Sequence, residues 1–349
     1  VGGVERHVED LCRNLVELGH RSDVACLDSC AKKKEKLPSY EEYRGIRIYR
    51  LPFVDLGLYK IAPGILKLIK GYDLIHVHGL GFFSDFLAVT SFFHRRPLII
   101  STHGGVFHTR TYSLLKRIYF DVWCRFVLKK YRVIAVSRSD ARLFSSIGAR
   151  AEYIPNAIEV EDLLKIKRTP EENTLLFVGR ISRNKRIDNL IDTVFLLKKK
   201  IPNVRLYVVG EDWEGIEGYL KKLVKEKNLE DNVIFTGGVS NREELLGYYG
   251  RAKFFVSASE YEGFGISVLE AMVAGCVVIV NDIEAFRELV RDGENGFIVD
   301  YSNKKTADII SELMQRDLTT ISREARKMAE THDWKKTVKK IEKLYHSVL

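Results

Sequence analysis

Glu262-Gly-Phe-Gly-Ile-Ser-Val-Leu-Glu270-Ala-Met272 is the stretch on which the reading of this chain turns. It follows an apolar run, residues 252–258, that reads as a buried parallel strand. Residues 266–274 then read as a short helix, with Gly275 as its stop. Gly263 and Gly265 let the backbone approach a ligand closely, and the new helix offers its unpaired N–H groups to an anion or a sugar hydroxyl. Glu270 is the odd residue. Ile266, Val268, Leu269, Ala271, Met272 and Val273 make the helix apolar nearly all round, so a carboxylate at 270 is expected to be buried with a specific partner. A ligand hydroxyl and a structural Lys or Arg are both open as that partner.

Outward from this stretch the pattern repeats. Strands are expected at 174–178, 204–209, 233–236, 277–280 and 296–299, with helices between them. Towards the N-terminus they are expected at 22–27, 46–49, 73–78, 97–102, 132–136 and 151–154. Such alternation predicts parallel sheets covered on both faces. The fold class is α/β: two doubly wound, Rossmann-like halves facing across a cleft, with ligands at the carboxyl ends of the strands. The expected domains are 1–158, 159–332 and a final amphipathic helix, 333–349, carrying Trp334, Val338, Ile341 and Leu344. Pro155-Asn156 and the charged run 159–172 read as the linker. Gly2-Gly3 opens directly into a helical pattern (Val4, Val8, Leu11, Leu15, Leu18). A glycine turn of this kind normally follows a strand, so a first N-terminal strand is expected and is missing from the sequence as read.

A chain of 349 residues suits two domains of ordinary size. No run approaches the ~18 apolar residues of a membrane helix, and no signal peptide is seen. Cys12, Cys26, Cys30, Cys124 and Cys276 are odd in number and scattered, which fits a reducing, cytoplasmic compartment. There is no Walker loop, and no Gly-x-Gly-x-x-Gly follows a strand. His76 and His78 share one strand face, but no third ligand with metal spacing accompanies them, so no metal is expected.

Phe177-Val-Gly-Arg180-Ile-Ser-Arg-Asn-Lys185 follows the first strand of the second half. A solvated basic loop is the plainer reading of most such runs. Two fixed cations at a strand end also suit a diphosphate leaving group. Arg183 and Arg186 are read as surface charge.

Two carboxylates flanking Gly-Phe-Gly, as in Glu262 to Glu270, resemble the donor-site motif of the family-four retaining glycosyltransferases, which have the GT-B fold. The resemblance extends through Gly-Arg180 with Lys185 five residues later, and through His103-Gly-Gly at a strand end. It implies that Glu262 faces the transferred sugar and that Glu270 holds the ribose hydroxyls of a nucleotide-sugar. Gly263, Phe264, Gly265 and Ile266 line the donor, and Arg180 and Lys185 stabilise the departing diphosphate. His103 steadies the sugar from the N-terminal half. Gly2 and Gly3 approach the diphosphate, and the backbone up to Val239 lies beside the base. The final helix crosses back to the N-terminal domain. No protein nucleophile, catalytic metal or cofactor is implied; the nucleoside-diphosphate sugar is a co-substrate. The expected reaction is sugar transfer to an acceptor hydroxyl with retention, in glycan, glycolipid or cell-surface polysaccharide synthesis. The rivals are a GT-B nucleotide-sugar epimerase and a non-catalytic nucleotide-sugar-binding subunit.

Charge adds one expectation of its own. Residues 1–159 hold 25 Lys and Arg against 16 Asp and Glu, a difference of +9; the remainder hold 31 against 31. The whole net charge of +9 therefore lies in the first half. Basic and aromatic residues interleave along a helical pattern, 113–130, in which Ile118, Val122 and Phe126 share one face. A helix of that kind suits an anionic membrane surface, and the plainer reading packs the stripe on the sheet and leaves the charges solvated. The domain-wide charge suits an anionic acceptor, lipid-linked or phosphorylated, reached from the inner face of a membrane, though net charge alone names no partner; no nucleic-acid partner is expected.

Overall fold

A computed structural model of the chain describes residues 3–28, 36–56, 59–103 and 117–349. They form two compact units, residues 3–157 with 334–349, and residues 158–333.

The first unit opens with helix α1 (Gly3–Glu17), then β1 (Val24–Leu27), β2 (Tyr40–Tyr43), β3 (Ile46–Leu51), the short pair β4 (Val54–Asp55) and β5 (Lys60–Ile61), and α2 (Ile65–Leu68). It continues with β6 (Ile75–His78), α3 (Phe82–His94), β7 (Leu98–Ser101), a π-helical turn (Tyr119–Cys124) running into α4 (Arg125–Val127), β8 (Tyr131–Ala135), α5 (Arg138–Ser146) and β9 (Arg150–Tyr153). Strands β6-β7-β8-β9 form a parallel sheet, and β1-β3-β2 a second sheet in which β2 runs antiparallel to β3. All four residues of β7 are buried, as a central strand covered on both faces requires.

The second unit comprises α6 (Val160–Leu164), β10 (Glu171–Val178), α7 (Ile187–Lys198), β11 (Arg205–Val209), α8 (Glu217–Glu226), β12 (Val233–Gly237), α9 (Arg242–Arg251) and β13 (Ala252–Ser257). It ends with α10 (Ile266–Val273), β14 (Val277–Asn281), α11 (Glu284–Arg287), β15 (Phe297–Val299), α12 (Lys305–Met314) and α13 (Thr319–Ala329). Its sheet, ordered β12-β11-β10-β13-β14-β15, is parallel throughout. The chain moves outward from β10 to β12, then returns to lay β13 on the other side of β10. That reversal is the topological switch point, where the loops after two neighbouring strands diverge and leave room for a ligand.

Helix α14 (Trp334–His346) packs within the first unit. Trp334, Val338, Ile341 and Leu344 are buried with Leu11 and Leu15 of α1 and with Ile99 and Ile134 of the sheet.

Three readings need correction. The charged run 159–172 is not a linker. Val160 and Leu163 recur at helical spacing, and both are buried with Ile158 in the core of the second unit. Strands β2, β4 and β5 were not anticipated: they are four, two and two residues long and exposed or half-buried, so they carry no apolar signature. The helical pattern 113–130 is described only from Arg117, and its apolar stripe does not pack on the sheet. The π-helical turn and α4 bury Phe120, Cys124 and Val127, while Ile118, Val122 and Phe126 are left outside.

Candidate functional site

The site of the second unit is built from the loops after β10 and β13. Only glycine fits where β10 and β11 end. A Cβ on Gly210 would fall 1.8 Å from the Gly179 carbonyl oxygen, so the backbones meet at van der Waals contact just before Arg180. Arg180 leaves the sheet there, exposed, with its guanidinium 4.7 Å from the centre of the Trp213 ring. Stacking holds the side chain extended without neutralising it.

Five residues on, Lys185 Nζ donates to Glu262 Oε1 at 2.5 Å, both side chains being mostly buried. Ser259 Oγ donates to the same oxygen at 2.9 Å. The two loops are tied together by backbone as well: Glu260 N donates to Asn184 O at 2.8 Å, and Asn184 Nδ2 to Tyr261 O at 3.2 Å. Arg186 is not the surface charge it was read as. In a left-handed conformation (φ 48°) it pairs with Asp188, Glu260 and Asn189. Its pKa is raised first by the bond to Asp188 and then by that to Glu260. The side chains of Asn184 and Arg186 thus help Lys185 fix the β10 and β13 loops against each other, while Ser259 holds Glu262 within the β13 loop; sequence reading gave none of the three a part in the site.

Gly265 caps α10 at φ 107°, a conformation costly for other residues. A Cβ there would also lie 3.1 Å from Phe286 and 3.2 Å from Leu289. Phe264 is buried, its ring 5.7 Å from that of His332, and Ile266 and Val239 pack against the same core. These three side chains serve the core, leaving backbone groups as what the segment presents.

Glu270 is buried as expected, at 3 % exposure. Both oxygens are held by the protein: Arg242 Nη1 donates to Oε1 and Tyr249 OH to Oε2, each at 2.9 Å. The structural ion pair weighed above therefore exists. Arg242 Nη2 is buried without a hydrogen-bond partner, so the guanidinium carries an unmet donor next to the carboxylate. Arg242 and Tyr249 stand seven residues apart on α9, one face of the helix; that spacing was the signal available in the sequence.

In the first unit His103 closes β7 with φ 47°. His103 Nε2 lies 3.0 Å from His78 Nδ1, so one ring donates to the other. His76 is a packing residue: its nitrogens meet Tyr345 OH at 2.7 Å and Ser101 Oγ at 2.9 Å, joining α14 to the sheet. The residue sequence reading missed is His7 of α1. It supplies the third imidazole said above to be lacking: nitrogens of His7, His78 and His103 lie within 4.8 Å of one another. His7 is buried and neither of its nitrogens has a partner. Burial lowers all four pKa values, that of His76 to about 3 and that of His103 to about 4, so these imidazoles are neutral at pH 7. Gly3 begins α1; Gly2 lies outside the described residues.

Residues 1–162 match the family model described as Glycosyltransferase Family 4, and residues 160–332 that of Glycosyl transferases group 1. The chain is 33 % identical, over its whole length and 94 % of the relative, to the GDP-mannose:cellobiosyl-diphosphopolyprenol alpha-mannosyltransferase of Xanthomonas oryzae pv. oryzae. The protein of the same name from Komagataeibacter xylinus is also 33 % identical, over the whole chain and 90 % of the relative. Among solved structures, Anabaena Alr3699/HepE in complex with UDP and glucose superposes with a TM-score of 0.78 at 21 % identity, covering all of this chain and 96 % of the other.

Proposed function

The chain belongs to the group 1, family 4 glycosyltransferases, with the GT-B fold, and we propose that it transfers a hexosyl unit, with retention and without a metal, from a nucleoside-diphosphate sugar to a lipid-linked saccharide diphosphate. The observation that carries this reading is the Lys185–Glu262 pair at the switch point, beside the loop that holds Arg180. When a donor diphosphate arrives, Lys185 exchanges Glu262 for a phosphate oxygen. Glu262 is then released to accept hydrogen bonds from sugar hydroxyls. The fields of Arg180 and Lys185 grow in value as negative charge builds on the leaving oxygen, so they lower the barrier more than they strengthen binding. That oxygen takes the acceptor hydroxyl's proton on the face from which it departs, and the new glycosidic bond forms on the same face. The N–H groups ahead of α10 and the carboxylate of Glu270 hold diphosphate and ribose. The names of the two relatives at 33 % identity support a polyprenol-linked acceptor and make GDP-mannose the first donor to try.

Thermal shift against UDP-, GDP- and ADP-sugars identifies the donor, because a ligand that binds only the native state raises Tm by mass action. With that donor and a diphosphopolyprenol-linked saccharide, product is expected with the donor's anomeric configuration by NMR, and at an undiminished rate in chelator. An inverted product or loss of activity in chelator refutes the corresponding part. Conversion of the donor sugar without acceptor would favour the epimerase, and tight donor binding with no turnover over a broad acceptor panel would favour the binding subunit.

A further inference from the structure

Two adjoining helical segments of the first unit turn large apolar side chains outward. On α3, Val89, Phe92 and Phe93 lie at i, i+3 and i+4; the two phenylalanines are 77 % and 80 % exposed. On the segment 117–127, Ile118, Val122 and Phe126 follow one another at i, i+4 and i+8, with Val122 66 % exposed and the Trp123 ring 6.0 Å from that of Phe126. Packing accounts for why these side chains cannot turn in. Asp85 of α3 is buried and accepts hydrogen bonds from Tyr119 OH at 3.0 Å and from the Trp123 indole. Phe120, Cys124, Val127 and Leu128 fill the core below. With one face locked to Asp85 and another to the sheet, the third must face outward. Isolated exposed hydrophobic residues are ordinary; seven on two neighbouring helical segments are a patch.

The charges around the patch are mostly of one sign. Arg95 and Arg96 follow α3 directly. Arg117, Arg125, Lys129 and Lys130 stand on the second segment, five of these six being exposed. Two carboxylates belong to the same segments: Asp85, buried, and Asp121, which lies 3.7 Å from Arg117. Exposed aromatic and aliphatic side chains on segments that also carry Arg95, Arg117, Arg125, Lys129 and Lys130 fit the boundary between the headgroups and acyl chains of a bilayer that contains anionic lipid. The rings enter the interface while the cations stay at headgroup level. A soluble protein partner would not require rings this exposed to be surrounded by charge of one sign.

We infer that the face formed by α3 and residues 117–130 docks the protein on an anionic membrane surface. The docking deepens the lipid-linked acceptor reading and rests on it only for its purpose; the surface itself stands on exposure and charge. Among the described residues no helix is long and apolar enough to cross a membrane.

The test is co-sedimentation of the full chain with vesicles of phosphatidylcholine alone and of phosphatidylcholine with phosphatidylglycerol, across salt. Binding is expected only to the anionic vesicles and should fall as salt rises. The double variants Phe92→Ser/Phe93→Ser and Val122→Ser/Phe126→Ser should each reduce partitioning roughly tenfold or more, with unchanged Tm because the side chains are exposed. Both should keep parental turnover on a short-chain, water-soluble acceptor and lose it on an acceptor embedded in vesicles. No binding of the parent to anionic vesicles at low salt overturns the docking surface, as does undiminished binding by both variants. A parent dimer in sedimentation velocity that the variants convert to monomer assigns the patch to a second copy of the chain and overturns it too. A failed transfer reaction with intact, salt-sensitive vesicle binding would sink the acceptor reading and leave the docking surface standing.

Discussion

Glu270→Gln separates the two roles open to the buried carboxylate. In the parent, two donors converge on it, Arg242 Nη1 and Tyr249 OH, each at 2.9 Å. An amide can serve both. Its oxygen accepts from the guanidinium, and its NH2 donates to the tyrosine oxygen once that hydroxyl rotates away. The folding cost is therefore the difference between a charged and a neutral partner for Arg242, about 1 kcal/mol, and the variant stays folded. Donor binding responds differently. A ribose held by Glu270 loses a charged acceptor for its hydroxyls, and hydrogen bonds to charged groups contribute ~1.5–3 kcal/mol. The expected weakening is about tenfold to a hundredfold in Kd.

The assay is titration calorimetry with the nucleoside diphosphate that gives the largest thermal shift, on the parent, Glu270→Gln and Tyr249→Phe. Tyr249→Phe removes one bond to the carboxylate without touching its charge, so it should lower Tm while leaving Kd within a few-fold of the parent. If Glu270→Gln destabilises the fold yet binds the nucleotide with parental Kd, the ribose role is wrong. The carboxylate would then be the anchor of α9 and nothing more.

The same site yields further expectations. Arg180→Ala and Lys185→Ala should each lower kcat more than they raise the donor Kd, because leaving-group charge is largest in the transition state; wild-type turnover at saturating donor would remove that residue from the mechanism. Gly265→Ala should cost ~1–3 kcal/mol, from a left-handed backbone and a methyl group 3.1 Å from Phe286, read as a shift in the urea midpoint; an unchanged midpoint would mean that α10 starts differently. The buried imidazoles predict an acid window. His76 and His103 have folded pKa values of about 3 and about 4, below their unfolded value of 6.5, so the unfolded chain binds more protons between those limits. Their contribution is complete above pH 6.5 and is lost as pH falls towards 3–4, each by at most about 1.4 kcal/mol per pH unit. Urea midpoints measured across that range should fall with acidity, less steeply in His76→Gln, and an equal slope in parent and variant would contradict the assignment.

What the sequence made legible follows from where its information is local. Strands β7 and β14, β10 from Leu175 and β13 from Phe254 carry apolar runs because both faces of a parallel sheet are covered, and each strand was placed within a few residues. The same alternation of strands and helices pointed to doubly wound α/β halves, and the resemblance of Glu262-Gly-Phe-Gly to a family motif pointed to the GT-B fold. Pairings between distant residues were not legible. The spacing of Arg242 and Tyr249 shows that they share a face of α9, but not that Glu270 lies opposite it, and the meeting of His7 with His78 and His103 leaves no trace in spacing along the chain. The interdomain charge run misled for the opposite reason. Its many Lys and Glu residues dominate the composition, while two buried side chains, Val160 and Leu163, decide where it packs.

The segment after Arg117 shows how a correct periodicity can carry the wrong inference. An apolar stripe at i, i+4 and i+8 says that one helical face is apolar; it does not say which face meets the core. Here the residues between carry a second apolar set, Phe120, Cys124 and Val127, and the chain must choose which to bury. Two side chains settle the choice. Tyr119 and Trp123 each hydrogen-bond Asp85, a carboxylate buried in the neighbouring helix whose pKa burial pushes up and whose cost rises steeply if it is left without donors. Satisfying Asp85 fixes the rotation of the segment, and the π-helical turn at Tyr119–Cys124 lets Phe120 and Cys124 reach the core in that rotation. The stripe Ile118, Val122 and Phe126 is exposed as a consequence of a polar requirement. Replacing Asp85 by a residue that needs no donors would free the segment to roll its larger apolar face inward.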